Sequence, residues 1–333
     1  MTSGSLKKHL AVLVAAVVLP LLVFAVAMMW QQLEEKRELV DRGMEATARA
    51  LTLAVDGEVK ASLGVLNTIG SSPLLDNGNL KSFHELCTRA MEGRRGAYVI
   101  LFDAAGNALV NSSRPFGATL PSPLQSAQPP GFDPRFPEVP TGGAEPGRTV
   151  LTTGNPFISN LFISLNTHQP RIGLDIPVRR DGELRYVLEL SMDSAELSRL
   201  LAEQGSPDGS MFTIVDRQGI AIASSVNSAS TVGKALPPDL AGHIANAASG
   251  AAAGRDAEGR EVYHVFNASP LTGWRTSLSV ARSAAYAPVS DAMAWLGIGA
   301  AIAVVIAVLA AFGFGRRVTR HVGRAAEAAK RPA

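Results

Sequence analysis

The sequence predicts an α+β protein in which two tandem sheet-bearing lobes sit on a long N-terminal helix and are bracketed by two membrane-spanning helices. Three observations lead there. Two uncharged apolar runs, Leu10 to Trp30 and Met293 to Gly315, stand at opposite ends of the chain. Between them a helical stripe of apolar residues runs from about Gln31 to Ile69, and beyond it a β-hairpin pattern occurs twice, about 113 residues apart.

Each apolar run is about the 20 residues that cross a ~30 Å hydrocarbon core as a helix, and neither carries a charge at mid-depth. Lys7 and Lys8 precede the first, and Arg316, Arg317, Arg320, Arg324, Lys330 and Arg331 follow the second. Basic flanks stay inside, so both termini are expected in the cytoplasm and the central segment in the periplasm, on a bacterial inner membrane. The alternative for the first run is a cleaved signal peptide, since Ala25-Val26-Ala27 has the small-x-small form of a cleavage site. Met28, Met29 and Trp30 extend the run beyond the usual apolar core of such peptides.

With 333 residues, 47% of them hydrophobic, and a net charge of +2, the chain can bury a substantial core. That charge balance is not that of a nucleic-acid binder. The single cysteine, Cys87, excludes an internal disulfide, so an exported domain would rest on packing alone.

In the long helix, Leu33, Val40, Met44, Leu51, Val55, Val59, Leu63 and Leu66 recur mostly three, four or seven apart. Its later half is expected against a sheet of its own domain, and its membrane-near half is a candidate contact for a second copy in a homodimer. Ser72-Pro73 ends it, and Asn77-Gly78-Asn79 opens a second helix through about Met91. The period then shortens toward two. Tyr98 to Phe102 and Ala108 to Ser112 read as strands joined by a turn over Asp103 to Asn107.

The segment YVILFDAAGNALVNSS, from Tyr98, is matched by MFTIVDRQGIAIASS, from Met211. Asp103 corresponds to Asp216 and Gly106 to Gly219; each Asp can bond nearby amides of the turn and each Gly can supply positive φ. Turn chemistry accounts for these residues, so none is a site candidate. Further strand pairs follow in each copy, Arg171 to Val178 with Leu184 to Met192 and Arg260 to Asn267 with Trp274 to Ala281. Between the copies, Asp193 to Gln204 reads as a helix capped by Asp193, and Ser206 to Gly209 as the junction. The stretch Pro115 to Gly147, rich in Pro and Gly, reads as a long surface loop.

An anchor helix, a long helix, two hairpin-and-sheet lobes and a second membrane helix, closed by the phrase GWRTSLSVARSAAYAPVSDAM from Gly273 to Met293, resemble the double Cache (dCache) sensor domains of bacterial receptors. The resemblance covers roughly Gln31 to Gly315 and is nearest to the sensor portion of Cache-containing histidine kinases. It implies PAS-like lobes, a small-molecule ligand held in the membrane-distal lobe, and no cofactor. Amino-acid receptors of the family grip their ligand with a set of Tyr, Arg, Trp and Asp, whereas the only tryptophans here, Trp30, Trp274 and Trp295, all fall outside the first lobe. The tail from Gly315 resembles the start of a HAMP-like linker. No kinase or cyclase module follows it in this sequence, so such an activity is expected in a separate cytoplasmic transmitter or in a missing C-terminal part.

Strand alternation nominates the site. In Arg171 to Val178, Ile172, Leu174, Ile176 and Val178 point one way, while Arg171, Gly173 and Asp175 point the other. If the apolar face meets the long helix, Arg171 and Asp175 face the ligand cleft; Tyr98, Ser112, Asn155 and Asn160 are candidates by proximity. The sequence contains no H-E-x-x-H, G-x-S-x-G, C-x-x-C or phosphate-binding loop, and its histidines are scattered, so neither an enzyme nor a metal site is expected.

The organisation that follows is a cytoplasmic start (1–9), a first span (10–30), a long helix (31–70), a membrane-distal lobe (71–205), a membrane-proximal lobe (206–285), a second span (293–315) and a cytoplasmic tail (316–333). The function expected is a receptor for a small extracytoplasmic molecule. The alternative is a membrane-tethered binding or scaffolding protein without signalling output.

Overall fold

The computed structural model describes residues 3–122, 124, 131–204, 210–245, 247–255 and 259–281, with a few positions between 294 and 309. The chain divides into two units, one of Met1–Arg42 with Ala285–Ala333 and one of Gly43–Ala284.

In the first unit the backbone of the Leu10 to Trp30 run is helical throughout, as the beginning of α1 (Ser3–Gly70). Most side chains of this run, and most of Met293 to Gly315, lie outside the described residues, as do the side chains of residues 1–9 and the whole of residues 316–333. Among the described residues no helix is long and apolar enough to cross a membrane. The side chains that are described in these runs, including Val23, Phe24, Trp30, Trp295, Ile302 and Leu309, are exposed.

In the second unit α1 buries Leu51, Val55, Val59, Leu66 and Ile69 of the half expected to pack on a sheet, together with Ala48 one turn earlier, while Leu63 is half-buried. It serves two sheets in succession. The first-lobe sheet comprises β1 (Tyr98–Asp103), β2 (Ala108–Asn111), β5 (Phe157–Ile158), β6 (Phe162–Ile163), β7 (Pro170–Arg180) and β8 (Glu183–Asp193) in the order β2-β1-β8-β7-β5, with β6 also on β7. The second comprises β9 (Ser210–Val215), β10 (Ala221–Ser224), β11 (Ser249–Arg255), β12 (Glu261–Ala268) and β13 (Arg275–Ala281) in the order β10-β9-β13-β12-β11. The two orders correspond strand for strand, as a duplicated lobe requires.

Equivalent turns reproduce equivalent bonds. Asp103 accepts hydrogen bonds from the Ala105 and Asn107 amides, and Asp216 from those of Gln218 and Ile220. Gly106 and Gly219 have φ of 85° and 84°, a conformation a side chain would strain. Ser112 Oγ accepts from the Val99 amide at 2.9 Å, and Ser225 Oγ from the Phe212 amide at the same distance.

The upper turns of α1 meet the first sheet, where a Cβ added at Gly70 would lie 3.1 Å from Val178 and 3.6 Å from Ile176. Its lower turns meet the second through polar contacts. Thr52 bonds Thr276 and accepts from Asn267 at 3.0 Å, and Ser269 donates to Asp56 at 2.6 Å. Between α1 and the first strand lie α2 (Leu80–Ala90), capped by Asn79 and burying Phe83 and Cys87, and a turn in which Arg94 donates to Ser62.

The described part of the stretch Pro115 to Gly147 is more regular than its composition suggested. It contains the hairpin β3 (Phe132–Asp133) and β4 (Phe136–Pro140) and the start of α3 (Ala144–Thr153). The loop reading fails because Val139 and Val150 are fully buried, and Val150 joins Phe102 and Val187 in a core between α3 and the sheet. Glycines and prolines masked that apolar pattern. The inter-lobe helix α4 (Ser194–Glu203) begins where the sequence placed it, with Asp193 accepting from the Ala195 amide at 2.9 Å. In the second lobe α5 (Ser228–Thr231) and α6 (Pro238–Ala245) complete the cover, Leu240 and Ile244 packing on Phe266.

Candidate functional site

Alternation sorts the first sheet into two faces. Ile172, Leu174, Ile176 and Val178 of β7 share the α1 side with Leu188, Leu190 and Met192 of β8, since each pair is in register. The opposite face carries Arg171, Gly173 and Asp175 on β7, Glu189 and Ser191 on β8, and Tyr98 and Ile100 on β1. Phe157 of β5, in register with Asp175, and the α3 core cover its lower part; toward Tyr98 it remains hollow.

That hollow holds about 30 Å³ of water-accessible space, walled by Tyr98, Ile100, Asn111, Phe162, Ser164 and Glu189, with Pro121, Gly142 and Leu165 at its rim. A larger cleft of about 300 Å³ lies on the flank between α1 and α4. Its charges are largely paired with one another, Arg199 with Glu196 and Glu203 at 2.7 and 2.5 Å and Arg94 with Glu58 at 3.6 Å. The smaller hollow is the candidate site because its polar walls are buried.

Arg171 is 2% exposed and fully engaged. Its Nε donates to Ser191 Oγ at 2.7 Å, its Nη2 donates to the carbonyls of Ser191 (2.8 Å) and Gly96, and its Nη1 faces Asp193 at 3.9 Å. The guanidinium stacks on the Tyr98 ring, 4.3 Å from its centroid. Burial lowers its pKa, against the opposing pull of Tyr98, Asp193 and Glu189.

Asp175 is completely buried, and neither carboxyl oxygen has a hydrogen-bond partner among the described residues. It stands directly across from Glu189 in the β7–β8 register. Burial, and then the neighbouring Glu189 charge, push its pKa well above the usual carboxylate range. Burial also raises Glu189 to about 7, against the lowering influence of Arg171. Two carboxyls this close in a dry environment do not both ionise near neutrality, so the pair retains a proton.

Of the residues nominated from sequence, Tyr98, Arg171 and Asp175 share this face. Tyr98 Oη pairs with Ser164 Oγ at 3.0 Å. Ser112 is occupied in holding the Val99 amide. Asn155 is exposed beyond the end of α3, and Asn160 lies in the contact between lobes, where its Oδ1 accepts from the Arg217 amide at 3.3 Å. Glu189, Asn111, Phe162, Ser164 and Asn166 were not nominated. The alternation argument that selected Arg171 and Asp175 selects Glu189 when applied to β8. The others reach the hollow through chain segments far apart in sequence, and no local signal marks them.

The segment that closes the hollow also joins the lobes. Upstream of Phe162, the Leu161 amide donates to Asp216 Oδ2 at 3.1 Å and the Ser159 carbonyl accepts from Trp274 Nε1 at 3.1 Å. Arg217 donates to the carbonyls of Ile158 (2.8 Å) and Thr272 (2.9 Å) and stacks on Phe157. The carboxylate of Asp216 therefore supports its own turn and clasps the other lobe.

No family model and no curated protein matches the sequence. Solved structures do match the fold. The ligand-binding domain of Mlp24 with asparagine is 16% identical, with a TM-score of 0.52 over 78% of this chain and 99% of that one. The ligand-binding domain of the Pseudomonas fluorescens chemoreceptor CtaA, in complex with L-isoleucine, is 15% identical, with a TM-score of 0.54 over 77% of this chain and 98% of its own. The extracellular domain of rpHK1S-Z16, assigned as a histidine kinase, gives 12% identity and a TM-score of 0.54 over 73% and 95%. The fold is the double Cache fold. In this chain the first-lobe sheet lies between α1 and the hollow that the Phe162 segment closes. The neighbours are ligand-binding and sensor domains rather than catalytic ones, compatible with a chain that is not an enzyme.

Proposed function

We propose that this chain is the sensing part of a two-pass receptor of the bacterial inner membrane, with a periplasmic central domain that binds a small molecule in the first lobe and signals across the bilayer. The observation that carries the reading is the union of cavity and lobe junction in one short segment. Residues 157–166 supply Phe162, Ser164 and Asn166 to the hollow and present Ile158, Ser159 and Leu161 to the second lobe. A ligand that moves Phe162 or Ser164 pulls directly on the contacts of Asp216, Arg217 and Trp274. Signalling then needs only that the ligand bind one of two lobe arrangements more tightly than the other.

Membrane passage is supported by the charge-free apolar runs with their basic flanks and by the exposed apolar side chains on them. Homodimer formation is supported by an exposed stripe of mostly small residues on α1, Gly43, Ala46, Ala50, Leu53, Gly57 and Gly64, which would let a second copy of the helix approach closely. Output passes to a cytoplasmic transmitter, on a separate chain or beyond the present C-terminus.

The reading is tested by topology and ligand together. A periplasm-dependent reporter fused at Pro140 is expected to be active and one fused at Arg331 inactive, and disulfide trapping of Gly57→Cys is expected to yield a cross-linked dimer. A cytosolic Pro140 fusion would overturn the receptor reading, as would the lack of any thermal shift across a panel of acids, amines, sugars and purines.

A further inference from the structure

Two acids and one base share the polar face of β7 and β8, almost out of reach of solvent. Arg171, Asp175 and Glu189 are 2%, 0% and 4% exposed. Asp175 and Glu189 are cross-strand partners, and the Glu189 carboxyl leans over Gly173, whose added Cβ would lie 3.6 Å from it. Gly173 stands between Asp175 and Arg171 on this face, so that lean brings Glu189 toward the guanidinium, its charge partner. The remaining groups around the three are few. Tyr98 of β1 stacks on Arg171, while Asn111 of β2 and Phe162 and Ser164 of the covering segment add no charge. Phe157 of β5 stands in register with Asp175 and carries Arg217 on its ring. Glu145 and Arg148 of α3 are exposed, and Arg114 is bonded to Asn166.

Arg171 answers to a further acid outside the pair. Its Nε and Nη2 are held at Ser191 and Gly96, whereas Nη1 makes the loosest contact, Asp193 at 3.9 Å. Asp193 caps α4, accepting from the Ala195 amide. That helix is fastened to the second lobe, where Ser194 Oγ donates to the Ile222 carbonyl at 2.5 Å and the Ser224 amide donates to Ser198 Oγ at 3.2 Å. One guanidinium is therefore shared between a buried carboxyl pair and the start of the helix that joins the lobes.

We propose that Asp175, Glu189 and Arg171 form a proton-operated switch, in which loss of a proton from the carboxyl pair draws the guanidinium toward Glu189 and slackens its hold on Asp193 and the start of α4. The input is the pH around the first lobe, so the inference goes beyond small-molecule sensing and needs no ligand. With both carboxyls protonated the pair is neutral and Arg171 has Asp193 alone. Burial places the first proton loss at about 7, on Glu189, and keeps the Asp175 proton in place well beyond it. The folded protein holds the Glu189 proton more tightly than the unfolded chain does, so the tightened α4 belongs to the acid side of that midpoint and the slackened one to the alkaline side. The hollow of about 30 Å³, walled in part by Glu189 and large enough for a water molecule, gives the proton its path.

The test follows amide hydrogen exchange in the full-length protein from roughly pH 5 to pH 9, corrected for the intrinsic chemistry of exchange, and reads the first turn of α4 relative to β13. Wild-type α4 is expected to lose protection by about twofold to fivefold, the range of one partly exposed ion pair, with a midpoint at about 7. Glu189→Gln is expected to abolish that step. Asp193→Asn keeps a capping side chain and removes the charge, so it is expected to abolish the α4 step while the infrared band of a protonated carboxyl still fades with the same midpoint. A flat wild-type profile, or an α4 step that persists undiminished in Glu189→Gln or in Asp193→Asn, would overturn the inference. A flat profile in a protein that still gives a ligand-induced thermal shift would overturn the switch alone and leave the receptor reading standing.

Discussion

Replacing Glu189 by glutamine perturbs a single proton. In the native state burial holds the Glu189 pKa at about 7, whereas the unfolded chain releases that proton near 4.5. The folded protein therefore binds more protons between these values, and its unfolding free energy falls as pH rises through the window. Each pKa unit corresponds to about 1.4 kcal/mol, so between pH 5 and pH 8 this group costs the wild type about 2 to 3 kcal/mol of stability that glutamine does not lose. The amide brings its own unpaired donors, a roughly constant penalty of about 1–3 kcal/mol at either pH, so the difference between pH values is the diagnostic quantity. For a unit of this size about 1 kcal/mol moves the melting temperature by about 2–4 °C. Melting of wild type and Glu189→Gln, followed by the fluorescence of the buried Trp274, should thus show the variant gaining about 5–10 °C on the wild type between pH 5 and pH 8. A gap that stays constant within a degree across that range would refute the buried, proton-holding carboxyl pair.

Other expectations concern the joint between the lobes and the core. Arg217→Ala removes two carbonyl contacts and a ring stack that bind the second-lobe turn to Ile158, Thr272 and Phe157, and is expected to lower stability by about 1.5–3 kcal/mol in chemical denaturation, with separate transitions for the two lobes. Trp274→Ala, at 1% exposure, is expected to cost about 3–5 kcal/mol and to orphan the Ser159 carbonyl; retention of the wild-type melting temperature would contradict its packing. Gly143→Ala places a Cβ 2.5 Å from the Phe162 ring at a residue with φ of 64°, so it should shift Phe162 and weaken any ligand's thermal shift while leaving α1 contacts intact. The Cys87 thiol, pushed up to about 12 by burial, should resist maleimide in the native protein and react once it is unfolded.

The sequence by itself determined the parts of this protein governed by short-range periodicity. The stripe of α1 is legible because residues three and four apart share a helix face, and most of it between Leu51 and Ile69 is what the sheets bury. The duplicated hairpins are legible because a tight turn allows few residues at Asp103, Gly106 and their copies. The polar face of β7 followed from strand alternation, and it led to Arg171 and Asp175 without any structure.

Tertiary structure decided what those residues do. Arg171, nominated as a ligand contact, spends its donors on Ser191 and Gly96 because the β1 and β8 strands bring those carbonyls beside it. Glu189 becomes the acidic wall of the cavity only because β8 lies between β1 and β7, an order set by long-range pairing rather than by sequence neighbours. The Pro/Gly-rich stretch yields a hairpin and the start of α3 because distant side chains at Val139 and Val150 find a core to enter. Asp216 is a turn residue by its local pattern and a clasp between lobes by its contact with Leu161, 55 positions away. Periodicity reports which way a side chain points; only the assembled sheet fixes what it meets there.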